Sequence, residues 1–316
     1  MNTKFVIRLL GPAIFGVILF FFIDLKELQK ILSLSRYDFL ALSLATVPVI
    51  IAVRSIRWQK ILAIHTIDYT FWTCFKYNVV ELVAIGVVSA AGSIIKVFYL
   101  RRDGYRLLDA AQSVVTDKAF DYLLPLIFGI SSGLVFLLGI DPDRGLAVML
   151  MVTLVIYRPL RSISVRLFPR IIPGALKAKM LTRNWRFEES FQQIILSLDF
   201  RAYLLSIFGL LVYFLAVHLL NLGLGTALSF AQVILIMALT SLITAIPISF
   251  LGIGTRDVAL ISVFTWFGRS PEEAVSLSIA LLGLRLAIMA MGSLFWYMDP
   301  PPLAALKRGY NGPEKD

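Results

Sequence analysis

The stretch Pro247-Ile248-Ser249-Phe250-Leu251-Gly252-Ile253-Gly254-Thr255-Arg256-Asp257 sets two glycines, a guanidinium and a carboxylate inside an apolar region. Gly252 and Gly254 free the backbone, and N–H groups at a following helix start can face an anion. Arg256 adds a planar, permanently charged donor that suits phosphate. Asp257 can orient Arg256 or hold the helix start. The chemistry this pattern offers is anion binding. The plainer alternative is a surface loop with a solvated Arg–Asp pair, but a charged pair in an apolar region more often marks a pathway.

A second group is Glu81, Gly92, Ser93 and Lys96. Glu81 stands among apolar neighbours, so it must be protonated, paired or facing water. Lys96 can join it or snorkel to the interface. Asp117, Lys118 and Asp121 open a third region. The two aspartates are four apart and share a helix face, and Lys118 can neutralise Asp121. The plain reading is a surface helix start, where acids suit the helix dipole. An Asp-x-x-x-Asp pair could also hold magnesium for prenyl diphosphate chemistry. No second such pair completes a two-site cluster. Arg285 sits mid-way along an apolar run and needs an acid or a water-filled cavity, with Asp257 or Asp121 the expected partner. Arg54 and Arg57 end another apolar run beside Trp58 and read first as interface anchors. His218 and Met151 read as packing or lipid contacts.

These residues are set in an unusually apolar chain. Hydrophobic residues make up 59% of the 316 and charged residues 16%. Soluble domains have about 45–50% and about 25%. That excludes an ordinary cytosolic enzyme, a disordered chain and a nucleic-acid module, and points to an integral membrane protein. The net charge of +10 reads as topology and attraction to anionic lipid, not as a nucleic-acid surface. Cys74 is alone, so no internal disulfide forms, and His65 and His218 share no metal spacing. No Walker loop, dinucleotide fingerprint or nucleophile elbow is present, and no cofactor or metal is expected.

The expected fold is all-α, a polytopic helical bundle. Apolar runs at 5–23, 39–56, 113–138, 203–222 and 274–297, with a shorter run at 145–157 that borrows neighbours from 158–168, predict six full spans. Residues 77–99 and 229–267 are interrupted and predict helices buried against others or lining a cavity. Basic clusters at 54–60, 101–106, 158–186 and 307–308 are all assigned to the cytoplasm. Both interrupted segments must then enter and return. They become re-entrant hairpins from opposite faces of an inverted repeat, with both termini cytoplasmic in the inner membrane. Residues 158–190 read as an interfacial basic segment within a membrane domain spanning 1–297, and 298–316 as a cytoplasmic tail.

The order of motifs resembles the flippase-like membrane family that includes the membrane domain of lysylphosphatidylglycerol synthases. Arg57-Trp58 matches that family's Arg-Trp after an early span. Gly92-Ser93-Ile94-Ile95-Lys96 matches its Gly-Glu-x-x-Arg/Lys element, with Ser93 in place of the acid. Asp117-Lys118-Ala119-Phe120-Asp121 matches Glu-Arg-x-x-Asp, and Pro247 to Asp257 matches the late Pro…Gly-x-Gly-x-Arg-Glu loop. Arg285 matches a late arginine. The resemblance implies a stand-alone lipid translocator for anionic, aminoacylated or polyprenyl-linked lipids, without the lysyl-transfer domain.

The leading expectation is therefore transport of a lipid headgroup through a groove between the hairpins. Arg256, Lys96 and Arg285 would contact an anionic headgroup, and Asp257, Asp121, Asp117 and Glu81 would balance them or carry a proton. No ATPase motif is present, so the motion would be passive or ion-driven. Membrane lipids are the expected partners, and a homo-oligomer is allowed. The alternatives are a membrane transferase acting on a polyprenyl-phosphate or phospholipid, and a non-transporting scaffold for lipid or glycan synthesis.

Overall fold

A computed structural model describes residues 24–88, 92–171, 200–226, 228–243 and 255–300. Among these the chain is all-α, with ten helices and no strand. They are α1 (Leu25–Ser33), α2 (Tyr37–Ile64), α3 (Phe71–Val88), α4 (Ile94–Arg102), α5 (Leu107–Leu137), α6 (Pro142–Ile171), α7 (Phe200–Gly223), α8 (Phe230–Ile243), α9 (Thr255–Trp266) and α10 (Pro271–Met298). Four of them, α2, α5, α7 and α10, are long and apolar enough to cross a membrane. The expected span 5–23 lies outside the described residues.

Polar and apolar residues are distributed inside out relative to a soluble domain. Glu81, Lys96, Asp117, Ser43 and Thr153 are fully buried, while Leu137, Val155 and Leu294 are exposed. Lipid imposes this pattern, because apolar side chains lose nothing by facing hydrocarbon and polar groups must find partners inside.

Helices α2 and α7 run antiparallel along their length. The Arg36 N–H donates to Gly223 O at 2.7 Å and the Ser43 hydroxyl to Ala216 O at 2.9 Å. Further along, Val53 faces Gly209 and Arg57 Nη1 reaches Ser206 Oγ at 3.1 Å. Helix α5 packs on α8, where Gly129 brings the two backbones close: a Cβ there would sit 2.8 Å from Ala238 O. Helix α10 packs on α3.

The first interrupted region breaks where the sequence predicts, and the predicted break at 247–254 in the second lies outside the described residues. Residues 77–99 form the end of α3, a break, and α4. A Cβ on Gly92 would lie 2.3 Å from the carbonyl carbon of Ala84, so the chain doubles back against its own helix at a spacing only glycine allows. The two ends of this unit meet: the Tyr69 hydroxyl donates to Asp103, and the Tyr69 and Tyr105 rings are 5.6 Å apart. Within 229–267 the described residues form α8 and α9, which pack on each other.

Three expectations need correction. The run 113–138 belongs to a helix that begins at Leu107, so Asp117, Lys118 and Asp121 lie well inside α5 and not at its start. The run 145–157 does extend into 158–168, as part of α6, and its helical backbone continues through Pro159 and Pro169 to Ile171. The first part of the expected interfacial segment 158–190 is therefore a continuation of a long helix. Prolines survive in such helices because neighbouring groups re-satisfy the freed carbonyls. Third, Arg54 and Arg57 point inward and do not anchor an interface, so they do not count as cytoplasmic charge.

Candidate functional site

Arg54 and Arg57 lie three apart on α2 and present both guanidinia to one side. Facing them on α5 are Asp117 and Asp121, four apart. Arg57 Nη2 lies 2.6 Å from Asp117 Oδ1 and 2.7 Å from Asp121 Oδ1, and Arg54 Nη2 is 2.6 Å from Asp121 Oδ2. The α3–α4 unit adds the rest. Lys96 Nζ is 2.9 Å from Asp117 Oδ2 and 2.7 Å from Glu81 Oε2. Lys118 Nζ is 2.6 Å from Glu81 Oε1 and 2.9 Å from Asp121 Oδ2. The result is a closed network from α2, α3, α4 and α5.

The network sits well inside the ends of its helices. Arg57 is seven residues from the end of α2, about 10 Å at 1.5 Å per residue, and Asp117 is ten residues from the start of α5, about 15 Å. Glu81, Lys96 and Asp117 are 0% exposed and Arg57 is 4% exposed. Lys96 therefore does not snorkel. Its ammonium also lies over the Trp58 ring at 4.4 Å, and the Arg57 guanidinium over Phe120 at 5.6 Å. Burial at this depth is tolerable only because each charge meets opposite charge.

Among the described residues four cations face three carboxylates, a formal excess of one positive charge. The α2 edge of the network opens on a pocket of about 160 Å³ between α2, α5 and α7. Arg54, Arg57, Asp121, Ser206 and Tyr213 supply the polar part of the lining, and apolar residues such as Val53 and Leu124 the remainder.

The glycine-loop region forms a separate cluster. Gly252 and Gly254 lie outside the described residues. Arg256 and Asp257 stand in the first turn of α9, both buried. Arg256 Nη2 donates to Ser278 Oγ at 2.9 Å, the Ser278 hydroxyl donates to Asp257, and the Arg256–Asp257 pair spans 3.8 Å. Arg285 is exposed on α10 and lies within electrostatic reach of Arg256, as does Tyr213. The expected pairing of Arg285 with Asp257 or Asp121 is not found among the described residues. Asp121 is engaged by Arg54, Arg57 and Lys118. Ser93 is buried at the N-cap of α4, three residues before Lys96, and is outside the ion-pair network. Among the described residues Lys96 and the Arg256–Asp257 pair belong to ion-pair clusters on different helices, and Tyr213 lines the pocket while lying within electrostatic reach of Arg256.

A third assembly was not anticipated. At the end where α2, the α3–α4 unit and α10 meet, Arg102 Nη1 lies 2.6 Å from Asp299 Oδ1, and Lys76 pairs with the same carboxylate. Arg102 also holds Asp103 at 3.1 Å and donates to the Tyr77 hydroxyl at 2.9 Å. The Tyr99 hydroxyl donates to Asp299 O at 2.6 Å, and the Tyr77 and Tyr99 rings stack at 4.1 Å. This clasp ties the end of α10 to α3 and α4.

Sequence reading missed Arg54, Ser206 and Tyr213 as site residues. Arg54 carried a usable signal: arginines three apart on one apolar helix complement aspartates four apart on another. Ser206 and Tyr213 carried none.

The helix arrangement and the motif residues now stand together, and a family model settles what they belong to. The chain belongs to the lysylphosphatidylglycerol synthase TM region family, whose model matches residues 8–292. No curated protein and no solved structure matches it significantly. As a lysylphosphatidylglycerol synthase TM region with four long apolar helices, the protein is an integral membrane protein with a lipid-related function.

Proposed function

We propose that this protein translocates an anionic lipid across the cytoplasmic membrane. The headgroup passes through the polar interior while the acyl chains stay in the bilayer. The observation that carries the reading is the buried network of Arg54, Arg57, Lys96 and Lys118 against Glu81, Asp117 and Asp121. It has one cation in excess and opens on a pocket. Buried ionisable groups inside a membrane bundle mark pathways by default. Membership of a lipid-linked membrane family supports the same reading. The orientation of Asp117 and Asp121 toward guanidinium and ammonium groups favours this over a magnesium-dependent transferase.

The α3–α4 unit acts as a re-entrant hairpin, because its two ends meet at Tyr69, Asp103 and Tyr105. The α8–α9 unit is its counterpart, and both termini are cytoplasmic. Interrupted helical segments in two halves of the chain support a site inside the bundle.

The test is leaflet accessibility in liposomes holding purified protein and labelled phosphatidylglycerol or polyprenyl-phosphate, with and without a proton gradient. Protein-dependent movement that Arg57→Gln stops, with expression retained, is the expected result. No movement of any lipid under any gradient refutes transport.

A further inference from the structure

The clasp at the end of α10 is built as an anion site that the chain's own carboxylate fills. Arg102 Nη1 lies 2.6 Å from Asp299 Oδ1, and Lys76 pairs with Oδ2 of the same group. A carboxylate held by both oxygens between a guanidinium and an ammonium sits as the two non-bridging oxygens of a phosphodiester would.

The cations do not depend on Asp299 for their places. Arg102 is also held by Asp103 at 3.1 Å, donates to the Tyr77 hydroxyl at 2.9 Å, and lies over the Tyr99 ring at 4.9 Å. The Lys76 ammonium lies over the Tyr77 ring at 5.3 Å. Tyr77 and Tyr99 are buried and stacked, so one fixed aromatic pair carries both cations. The carboxylate is the replaceable part. Asp299 is the C-cap of α10, its backbone has left the helix (φ −141°, ψ 79°), and Pro300 to Pro302 follow it in sequence. With Asp299 withdrawn, Lys76 and Arg102 face Asp103 alone, and one positive charge in the clasp calls for an anion.

The clasp also lies where lipid phosphates are found. The side chains of Lys76, Arg102 and Asp299 are 32%, 33% and 22% exposed, so an anion can reach them. Just before Lys76, at the start of α3, the rings of Phe71, Trp72 and Phe75 pack 5.1 to 5.9 Å apart, with Trp72 exposed. Such aromatic groups at a helix end mark the headgroup level. Anionic lipids draw basic side chains at that level. A tethered carboxylate competes at an effective concentration of about millimolar. A lipid confined to the same layer can meet that concentration, whereas dissolved phosphate must supply it from bulk.

We propose that Lys76 and Arg102 form a seat for the phosphodiester of a surrounding anionic lipid. Asp299 is the built-in stand-in, and a seated lipid releases the end of α10 from the α3–α4 unit. The seat is separate from the buried network and stands whether or not that network moves lipid.

The experiment titrates phosphatidylglycerol onto the purified full chain and counts bound lipid by native mass spectrometry. Asp299→Asn removes the competing charge and is expected to tighten one phosphatidylglycerol about tenfold. Asp299→Glu is expected to behave as the unaltered chain. Adding Lys76→Gln to Asp299→Asn is expected to reverse the gain, and Arg102→Gln takes its place if that variant does not fold. Inorganic phosphate at the same concentration is expected to leave the lipid bound. In a Cys74→Ser background, spin labels on Arg106→Cys and Tyr297→Cys are expected to move apart when phosphatidylglycerol is added to phosphatidylcholine vesicles. No gain in Asp299→Asn, or a gain that survives loss of the cation, overturns the seat. Displacement by equal inorganic phosphate overturns the lipid as the source of the anion. An unchanged label distance overturns the release of α10.

Discussion

Lys96 is a fully buried lysine on a short helix, and its ammonium bridges Glu81 and Asp117. Removing it leaves two buried carboxylates one partner short. Breaking a buried pair from one side costs about 3–5 kcal/mol, because the remaining charge is stranded. Lys96→Met should therefore lower thermal stability in detergent by a shift of that order. Lys96→Arg should not restore it, since a planar fork does not fit where a compact ammonium serves two carboxylates. An unchanged melting temperature for Lys96→Met would show that the network is not closed. A cycle of Lys96→Met with Glu81→Gln should recover part of the loss, as expected for residues in contact.

Among the elements, the α3–α4 unit depends on Gly92 and on the clasp at its ends. Gly92→Ala places a methyl 2.3 Å from the Ala84 backbone, which cannot yield as a side chain would. The expected cost is about 1–3 kcal/mol, typical of overpacking, read as lost thermal stability. The clasp has a defined pH window. Burial raises the Tyr69 phenol, and the hydroxyl's bond to Asp103 raises it further. Its contribution is complete below about pH 10 and fades as pH rises through the raised value. Burial pushes Asp299 up, but hydrogen bonds from Arg102 and Lys76 outweigh it and hold the carboxyl low. Its contribution is present above about pH 4 and fades as pH falls through the lowered value. Melting curves should therefore be flat between about pH 5 and 9 and fall at both extremes. Arg102→Ala should blunt the acid limb. A stability step near neutral pH would mean that other groups control this end of the molecule.

The whole molecule has a consistent polarity along the bundle axis. The end of α2, the start of α3, the end of α4, the start of α5 and the end of α10 lie together, joined through Tyr69, Asp103 and Asp299. The start of α2 and the end of α7 lie at the other end, joined at Arg36 and Gly223. If α3–α4 is re-entrant, Asp68 and Arg106 share a side of the membrane. In a Cys74→Ser background, Asp68→Cys and Arg106→Cys should both react with an impermeant thiol reagent from the cytoplasmic side only. Labelling from opposite sides would mean that this unit crosses fully.

Some of this was legible in the residues. Apolar content announced a membrane bundle, because only a lipid solvent tolerates so few charges. Glycine and charge inside an apolar run marked the break between α3 and α4, because an exposed backbone in lipid has no partner. Glu81, Lys96, Asp117 and Asp121 stood out for the same reason. Tertiary structure alone decided who pairs with whom. Charge sign says that a buried arginine needs an acid, but helix packing says which acid. Arg57 found Asp117 and Asp121 because α2 meets α5, while Asp121, already engaged by three cations, was not left for Arg285. Arg54 changed from surface anchor to site residue through the same packing. The ion-pair network is likewise a property of the packing, since it exists only once seven of the described residues from four helices share one volume.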